Sequence, residues 1–293
     1  MLSAKQDWKE RPVPAEALDL RSRYDRDGFV FPVKALETDE AQACRDALES
    51  AEAQANDPDE RSLAQGYAHM LIPAITDLVR DPRVVEPVSE ILGPDLLLWG
   101  ANFFIKEART GSFVSWHQDL NYWGLDGEDE VTAWVALSDA SIESGAMRFI
   151  PGSHRGRVEH RDTFDEGNLL SRGQEIAEVD DSAAVDIVLK PGEMSLHHGL
   201  LFHASSPNQT DDRRIGLALR YIRPNMRQVA GPRDFAMLVS GNDGFGHFEP
   251  VPEPAKLLDP GCLASAREVR AAKEQFLFRG VDQQEAVATE RRR

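Results

Sequence analysis

The chain has 293 residues, of which 41% are apolar and 28% charged, a balance typical of a globular protein with a sizeable core. Its formal net charge of −17 repels phosphate backbones and anionic membranes, so neither nucleic acid nor a membrane is an expected partner. The first residues lack the apolar segment of a secretory signal, and no window approaches the roughly 18 apolar residues of a membrane span. The two cysteines lie far apart and fit a reducing compartment, so we expect a cytoplasmic protein.

The first third of the chain is predicted to be largely helical. Residues 1–20 are expected to form an N-terminal arm and residues 21–94 a helical lead-in to the rest of a single domain. A helix is predicted after Thr38, where apolar side chains recur at helical spacing, and two more over 71–79 and 81–93.

From residue 95 the pattern changes to short runs rich in β-branched and aromatic residues, separated by glycine and proline turns. The predicted strands are 96–105, 131–137, 146–150, 185–189, 194–203 and 215–222. Many short strands without intervening helices predict a mainly β core over 95–224, either an antiparallel barrel or a two-sheet jelly roll. The polar stretch 160–182 is interpreted as a surface loop or a lid, and 225–293 as a C-terminal extension with helices.

Two stretches carry the strongest chemical signal. His117 and Asp119 are two residues apart, so on a strand both side chains point to one face and can bind the same ion. This pair alone is a weak signal, and His203 on a later apolar strand strengthens it. Two imidazoles and one carboxylate leave three positions of an octahedral ion open, which is typical of non-haem Fe(II) oxygenases.

An arginine and a serine near His203 extend this hypothesis. A 2-oxo acid would occupy two of the open positions and O2 the third. Arg214 follows His203 by eleven residues, and its planar fork suits the distant carboxylate of such a co-substrate. Ser205 falls on the face of His203 and offers a hydroxyl to that carboxylate. A lone arginine would more often form a surface ion pair, so the prediction depends on the whole set.

The chain resembles phytanoyl-CoA dioxygenase-type proteins over roughly residues 24–224. The resemblance is carried by Trp116-His117-Gln118-Asp119-Leu120, the Trp134 strand, Ser144-Gly145, Pro151-Gly152-Ser153-His154, Pro191-Gly192-Glu193, His198-Gly199, His203-Ala204-Ser205, Asn208 and Arg214. It implies a double-stranded β-helix, a jelly-roll and cupin-like fold, that binds Fe(II) and the co-substrate 2-oxoglutarate. It also assigns roles by residue. The implied metal ligands, also the catalytic residues, are His117, Asp119 and His203; the implied co-substrate residues are Arg214, Ser205 and Trp134.

The resemblance further implies a reaction. O2 and 2-oxoglutarate are converted to succinate and CO2 while an unactivated C–H bond is hydroxylated. Halogenating relatives have a small residue at the position of Asp119, so halogenation is not expected. An acyl-CoA user should present basic residues to the nucleotide phosphates, whereas this chain is strongly acidic, so we expect a different small organic substrate.

Further residues have weaker assignments. Asn102 and Lys106, on the strand before the motif, are candidates to bind the 1-carboxylate of 2-oxoglutarate. Arg148 and Arg220 fall on predicted strands, where a buried guanidinium needs an acidic substrate or an internal carboxylate. The candidate substrate wall, for which ordinary barrel packing is the alternative, is Trp116, Asn121, Tyr122, Trp123 and His198.

Two other functions remain open on the sequence. A cupin-type zinc hydrolase or isomerase can use the same ligands, but zinc has no redox chemistry and needs one exchangeable position, which leaves Arg214 and Ser205 without a task. A non-catalytic metal-binding module on the same fold is the second alternative. The favoured prediction is a 2-oxoglutarate-dependent hydroxylase.

Overall fold

Helices come first along the chain and return near its end. The structure, a computed structural model, describes residues 19–278. Its helices are α1 (Leu20–Asp27), α2 (Thr38–Gln54), α3 (Pro58–Gly66), α4 (Ala68–Leu71), α5 (Pro73–Leu78), α6 (Pro82–Leu92) and α7 (Pro260–Leu277). None of the helices in this range is both long enough and apolar enough to cross a bilayer.

The strands lie mainly between the sixth helix and the seventh. They are β1 (Phe29–Lys34), β2 (Leu96–Lys106), β3 (Val114–His117), β4 (Glu130–Ala136), β5 (Met147–Phe149), β6 (Arg161–Asp162), β7 (Gln174–Glu175), β8 (Val185–Ile187), β9 (Glu193–His197), β10 (His203–Ser205), β11 (Arg214–Ile222), β12 (Phe235–Ser240) and β13 (Glu249–Pro250).

Two main sheets form the β core. The large sheet has the order β1-β9-β4-β11-β2-β12-β13, and the small sheet has the order β3-β10-β5-β8. Trp134 and Ala218 of the large sheet share a buried cluster with Phe149 and Ile187 of the small one, so the two sheets pack face to face. The predicted mainly β jelly roll with flanking helices is confirmed, as an open sandwich rather than a closed barrel.

The other face of the large sheet is covered by the N-terminal helices. Leu48 of α2, Ile75 of α5 and Val88 of α6 lie in one buried cluster with Leu98 and Leu217 of the sheet. Burial of these aliphatic side chains is the main contribution that holds helices and sheet together. Local signals set the helix ends: the Asp81 side chain accepts a hydrogen bond from the Arg83 N–H at the start of α6.

One predicted strand is wrong. The run 194–203 is two strands in different sheets, because β9 ends at His197 and β10 begins at His203. The chain turns between them at Gly199, where a Cβ atom would lie 2.6 Å from the Glu130 carboxylate and from Leu120. A continuous apolar run buried on all sides gives no periodicity that would reveal such a turn.

Three strands of the large sheet lie outside the predicted core of 95–224. The first is β1, which contains Pro32 and pairs only with β9, so it is an edge strand and its missing N–H costs no ladder bond. The other two are β12, which pairs with β2, and the short β13, which pairs with β12. A proline inside a short apolar run is a signal against a strand, and for that reason β1 was not predicted.

Candidate metal and co-substrate site

Three potential metal ligands converge at the small sheet. His117 ends β3, and His203, at the start of β10, is its direct partner across the antiparallel pair. Asp119 opens a 3-10 turn rather than continuing the strand, yet its Oδ1 lies 3.2 Å from His117 Nε2. One ligand atom of each of the three residues lies within 4.8 Å of the other two. The set predicted from the sequence is thus brought together, with a turn after β3 supplying the carboxylate.

Backbone carbonyls fix the protonation of both imidazoles. Nδ1 of His117 lies 2.9 Å from the Ser115 carbonyl oxygen and 3.1 Å from that of His203. Nδ1 of His203 lies 2.9 Å from the Leu201 carbonyl oxygen. Since a carbonyl only accepts, Nδ1 carries the proton and Nε2 presents a lone pair to the site. Burial, with a contribution from His117, lowers the pKa of His203 to about 4, so this imidazole is neutral.

The carboxylate of the set is held in its charged form. Burial of Asp119 acts to raise its pKa, but the close approach of His117, the neighbouring His203 and the guanidinium charge of Arg220 outweigh it. The pKa of Asp119 therefore lies well below its usual value. Two neutral nitrogens and one anionic oxygen are a donor set that suits a divalent transition-metal ion.

Gln118, between the two ligands of the motif, positions the turn. Its side chain is fully buried, and its amide nitrogen donates to the carbonyl oxygens of Gly156 and Leu200, both at 2.7 Å. Its amide oxygen accepts from the Val158 N–H at 2.9 Å. Sequence reasoning missed this residue, and the only signal was its place inside the motif.

A second cluster lies at the start of β11. Arg214 is 2% exposed, and its Nε has no hydrogen-bond partner among residues 19–278. Its guanidinium carbon lies 5.4 Å from the centre of the Trp134 ring. Burial lowers the pKa of Arg214 to about 10, which leaves the side chain charged at neutral pH. A buried, charged guanidinium with a free donor is the expected state of an anion site without its anion.

Lys106 shares this cluster. It is the register partner of Arg214 across β2 and β11, is fully buried, and donates to Ser205 Oγ at 2.7 Å and to the Ser206 carbonyl. Burial and the nearby charge of Arg214 lower the pKa of Lys106 to about 6. The sequence placed Lys106 with Asn102 as a candidate for the 1-carboxylate, whereas in the structure it lies beside Arg214 and Ser205.

Arg220 and Asn102 lie at the opposite end of the same face of the large sheet. Side chains alternate between the two faces along a strand, so residues 214, 216, 218 and 220 of β11 share one face. Arg214 and Arg220 therefore point the same way. Nη1 of Arg220 donates to Asn102 Oδ1, and its Nε lies 3.9 Å from Asp119 Oδ2, which is too long for a hydrogen bond. Between the two arginines, Gly216 lies directly against the Trp134 ring, and Ala218 lines the pocket that also contains the three ligands.

A cleft of about 890 Å³ opens next to the three ligands. Its walls come from α3, β2, α7 and part of the polar segment 160–182, and His117 and Asp119 lie at its base. This volume is within the range of roughly 300–1,000 Å³ that small-molecule sites occupy. From the segment interpreted as a loop or lid, the lining residues are Leu169, Leu170, Ser171 and Gln174.

The predicted substrate wall is only partly at this cleft. Tyr122 and Trp123 line it, as does Asn102. Three other candidates point elsewhere: Trp116 lies against Arg148, the Asn121 amide donates to Val158, and His198 packs against Tyr24. The turn after His117 decides which neighbours of the motif face the cleft, and strand alternation does not predict this turn.

An open two-sheet jelly roll with clustered His, Asp and His side chains defines the class of cupin-like β-sandwich proteins with a metal site at the small sheet. Within that class the chain belongs to the phytanoyl-CoA dioxygenase family, whose model matches residues 24–216.

Similar proteins are found among curated sequences and solved structures. A probable alpha-ketoglutarate-dependent hypophosphite dioxygenase from Stutzerimonas stutzeri is 29% identical over 59% of this chain and 63% of its own length. An ectoine dioxygenase from Streptomyces avermitilis is 30% identical over 50% of this chain and 54% of its own. The apo structure of a non-heme monooxygenase, ThoJ, is 36% identical with a TM-score of 0.78, over 94% of this chain and 100% of that one. The chain thus spans between half and two thirds of the length of these two curated relatives.

Proposed function

We propose that the protein is an Fe(II)- and 2-oxoglutarate-dependent dioxygenase that hydroxylates an unactivated C–H bond of a small organic substrate. In the reaction one oxygen atom of O2 enters the C–H bond to give C–OH. The other enters the succinate that 2-oxoglutarate forms as it loses CO2. The observation that carries the proposal is the buried, unpartnered guanidinium of Arg214 next to clustered His117, Asp119 and His203.

The metal would be held by His117, Asp119 and His203. Two imidazole nitrogens and one carboxylate oxygen, which lie within 4.8 Å of one another, would provide three of the ligands of an octahedral ion and leave the others to the reactants. When bound, ferrous iron supplies the activation of O2 for C–H oxidation. The protein keeps both imidazoles in the Nδ1–H form through backbone carbonyls, so the nitrogen lone pairs are ready for the ion.

The far carboxylate of 2-oxoglutarate would be bound by Arg214, Lys106 and Ser205. Arg214 offers its fork, Lys106 an amine and Ser205 a hydroxyl, and all three side chains are buried. Trp134 packs over Gly216 and against Arg214, so its indole forms a rigid wall of this pocket. Since none of these side chains is free to move, little conformational entropy is lost when the co-substrate binds.

The alternatives account for less of the site. A zinc hydrolase needs one exchangeable position and no second anion site. The buried cationic side chains of Arg214 and Lys106 would then lower the stability of the fold and have no function in the reaction. A non-catalytic module would not need a cleft of about 890 Å³ that ends at the ligands. Relatives whose names specify alpha-ketoglutarate dependence or a non-heme monooxygenase support the oxygenase as well.

The decisive experiment is anaerobic binding followed by turnover. Fe(II) with 2-oxoglutarate should give a weak visible charge-transfer band that neither component gives alone. Admission of O2 with a panel of metabolites should then release succinate in proportion to hydroxylated product. A metal-loaded protein that never shows the band would support the zinc enzyme and contradict the proposal. The band without substrate-stimulated succinate, across a broad panel, would support the binding module.

A further inference from the structure

We propose that the primary substrate carries an oxyanion group, a carboxylate or a phosphorus oxyanion, which is bound in the cleft between Arg220 and Lys273. This inference rests on the proposed function and adds the substrate class to it. Both side chains line the cleft that ends at His117 and Asp119. A substrate held through one charged group at these cations would have its remaining carbon atoms within the same cleft as the metal ligands.

The first cation, Arg220, has an incompletely used guanidinium. Its Nε is buried and without a hydrogen-bond partner among the described residues, and Nη1 donates to Asn102. Its ion pair among the described residues is with Asp119 at 3.9 Å, and this carboxylate is the proposed metal ligand. Once Asp119 is committed to a metal ion, Arg220 keeps a charge and a donor that face the cleft.

The second cation, Lys273, comes from α7 at the other end of the chain. It is 6% exposed, and its Nζ donates to the Trp99 carbonyl at 2.8 Å. Its nearest carboxylate atom, Asp234 Oδ1, is 3.7 Å away. Asp234 already accepts hydrogen bonds from the Trp99 indole N–H at 2.7 Å and the Phe235 N–H at 2.8 Å. Lys273 therefore keeps two of its three N–H donors for another acceptor.

Two stacked indoles hold these cations in place. The ring centres of Trp99 and Trp123 are 4.8 Å apart. Lys273 Nζ lies 3.4 Å from the centre of the Trp99 ring, and the Arg220 guanidinium carbon lies 5.2 Å from that of Trp123. Cation–π contacts of this kind stabilise a buried positive charge without neutralising it, so both cations remain available to an anion.

The other charges of the cleft are already matched by partners in the chain. Glu52 and Glu107 form ion pairs with Arg213, at 2.9 Å and 3.0 Å. Asp57 accepts from the Glu60 N–H at the start of α3. These acidic residues therefore have close partners within the chain, whereas Arg220 and Lys273 have only the longer ion pairs with Asp119 at 3.9 Å and Asp234 at 3.7 Å.

The space for an anion lies at Gly100. This residue lines the cleft, is the register partner of Arg220, and precedes Asn102 by two positions on β2. A Cβ atom built on Gly100 would meet no other atom within 4 Å. A larger side chain at this position would therefore occupy the cleft without displacing the protein.

The 1-carboxylate of 2-oxoglutarate is a second possible source of the anion at Arg220. Lys273 separates the two sources, since its side chain lines the cleft together with Arg220, whereas Arg214 and Lys106 do not line it. An anion bound by both cations belongs to the substrate. One bound by Arg220 alone belongs to the co-substrate.

The test compares matched compounds on matched variants. Succinate release is measured with small carboxylic acids, phosphonic acids and the neutral amides of the same skeletons. The variants are Lys273→Met, Lys273→Arg and Gly100→Leu. The control is Lys256→Met, which changes an exposed lysine that does not line the cleft. The 2-oxoglutarate dissociation constant is measured on each from the anaerobic charge-transfer band.

We expect an acid to stimulate succinate release and its amide not to. Lys273→Met should raise the KM for that acid by at least about tenfold more than it raises the 2-oxoglutarate constant, as loss of a charge-assisted hydrogen bond predicts. Lys273→Arg should recover most of the loss, and Gly100→Leu should abolish stimulation while the band still forms. The control should behave as the unaltered protein.

Two results would overturn the inference: amides that stimulate as well as acids, or a Lys273→Met variant whose only change is in the 2-oxoglutarate constant. If the charge-transfer band of Fe(II) with 2-oxoglutarate still forms normally, either result contradicts only this inference and not the proposed function. Absence of the band in the unaltered protein would instead remove the proposed function itself. Because the band reports a folded and loaded site, a variant that fails to fold is recognised at once, and Gly100→Leu then carries the test.

Discussion

At the scale of single residues, Asp119 contacts one imidazole, lies near one guanidinium and lines the cleft. We expect Asp119→Gly to lower hydroxylation by at least about a hundredfold, since changes that only perturb a metal ligand already cost roughly 10- to 100-fold. The measurement is succinate and product formation at saturating Fe(II), with Asp139→Gly, an exposed aspartate in a loop, as the control. Full hydroxylation by Asp119→Gly would show that the ligand assignment is wrong.

Arg214 is predicted to act in co-substrate binding. Arg214→Ala removes a buried charged donor worth about 1.5–3 kcal/mol, so the 2-oxoglutarate requirement should rise roughly 10- to 100-fold. The substrate KM should change much less. Titration of the charge-transfer band measures the effect, and Arg223→Ala, a half-exposed arginine, is the matched control. Equal losses for both ligands would indicate general damage to the fold and contradict the assignment.

Lys106 predicts a pH dependence. Burial and the charge of Arg214 lower its pKa to about 6, so above that pH the amine is neutral in the unliganded protein. A bound carboxylate favours the protonated form, so 2-oxoglutarate binding should take up a proton at about pH 8 and weaken as the pH rises. Calorimetry in buffers of different ionisation enthalpy measures this uptake. At about pH 5.5 the uptake by Lys106 should be small, and Lys106→Met should show none from this group at either pH.

The same group affects stability. An unfolded lysine keeps a pKa near 10.5, so between pH 6 and 10.5 the unfolded chain binds a proton that folded Lys106 does not. Below about pH 6 both the folded and the unfolded chain hold this proton, so the contribution of Lys106 to stability is constant there and at its least favourable. By the linkage relation, the free energy of unfolding from this group increases as the pH rises from about 6 to about 10.5.

Single residues differ in how well the sequence predicts them. The clustering of the proposed site residues could be predicted because imidazole, carboxylate and guanidinium groups at these spacings seldom occur together by chance; they are His117, Asp119, His203 and Arg214. Lys106 was assigned to the 1-carboxylate, yet it lies beside Arg214, since which end of β2 meets the start of β11 depends on sheet register. A single sequence does not determine that register.

At the scale of elements, one face of β11 carries Arg214, Gly216 and Arg220 in alternation. Gly216 is required because a Cβ atom there would lie 1.7 Å from the Trp134 ring. We expect Gly216→Val to destabilise the protein by about 1–3 kcal/mol through overpacking, and to raise the 2-oxoglutarate constant as the indole moves. Urea unfolding and the charge-transfer band measure the two effects.

A double variant supplies the control for this prediction. Trp134→Phe shortens the ring that Gly216 faces, so in the Trp134→Phe background the Gly216→Val substitution should cost less free energy of unfolding. Additive costs would show that the two residues are not in contact in solution.

The elements that the sequence predicted best were those with clear local signals. Helix α6, with Asp81 at its start and Gly93 at its end, lies within one residue of its predicted bounds. The break between β9 and β10 could not be predicted, because it is a crossing between sheets inside a mostly buried run that has no turn signal beyond Gly199.

At the scale of the whole molecule, the proposed ligands join the two sheets. The three metal ligands belong to the small sheet and its turn, while Arg214 and Lys106 belong to the large one. Fe(II) and 2-oxoglutarate together should therefore stabilise the fold, by about 2.7 kcal/mol at roughly a hundredfold excess over the dissociation constant. Urea unfolding under anaerobic conditions, with and without both ligands, measures this shift. Asp119→Gly should show little of it, and an equal shift in that variant would place the binding elsewhere.

The family match ends at residue 216, yet the cleft continues beyond it to Arg220 and helix α7. On the proposed function, the reacting centre lies within the matched stretch, whereas the cleft takes its walls both from that stretch and from the last quarter of the chain. Relatives can then diverge in what they oxidise partly through changes in that quarter, while the reacting centre stays as it is. Exchange of that quarter between family members should therefore shift specificity.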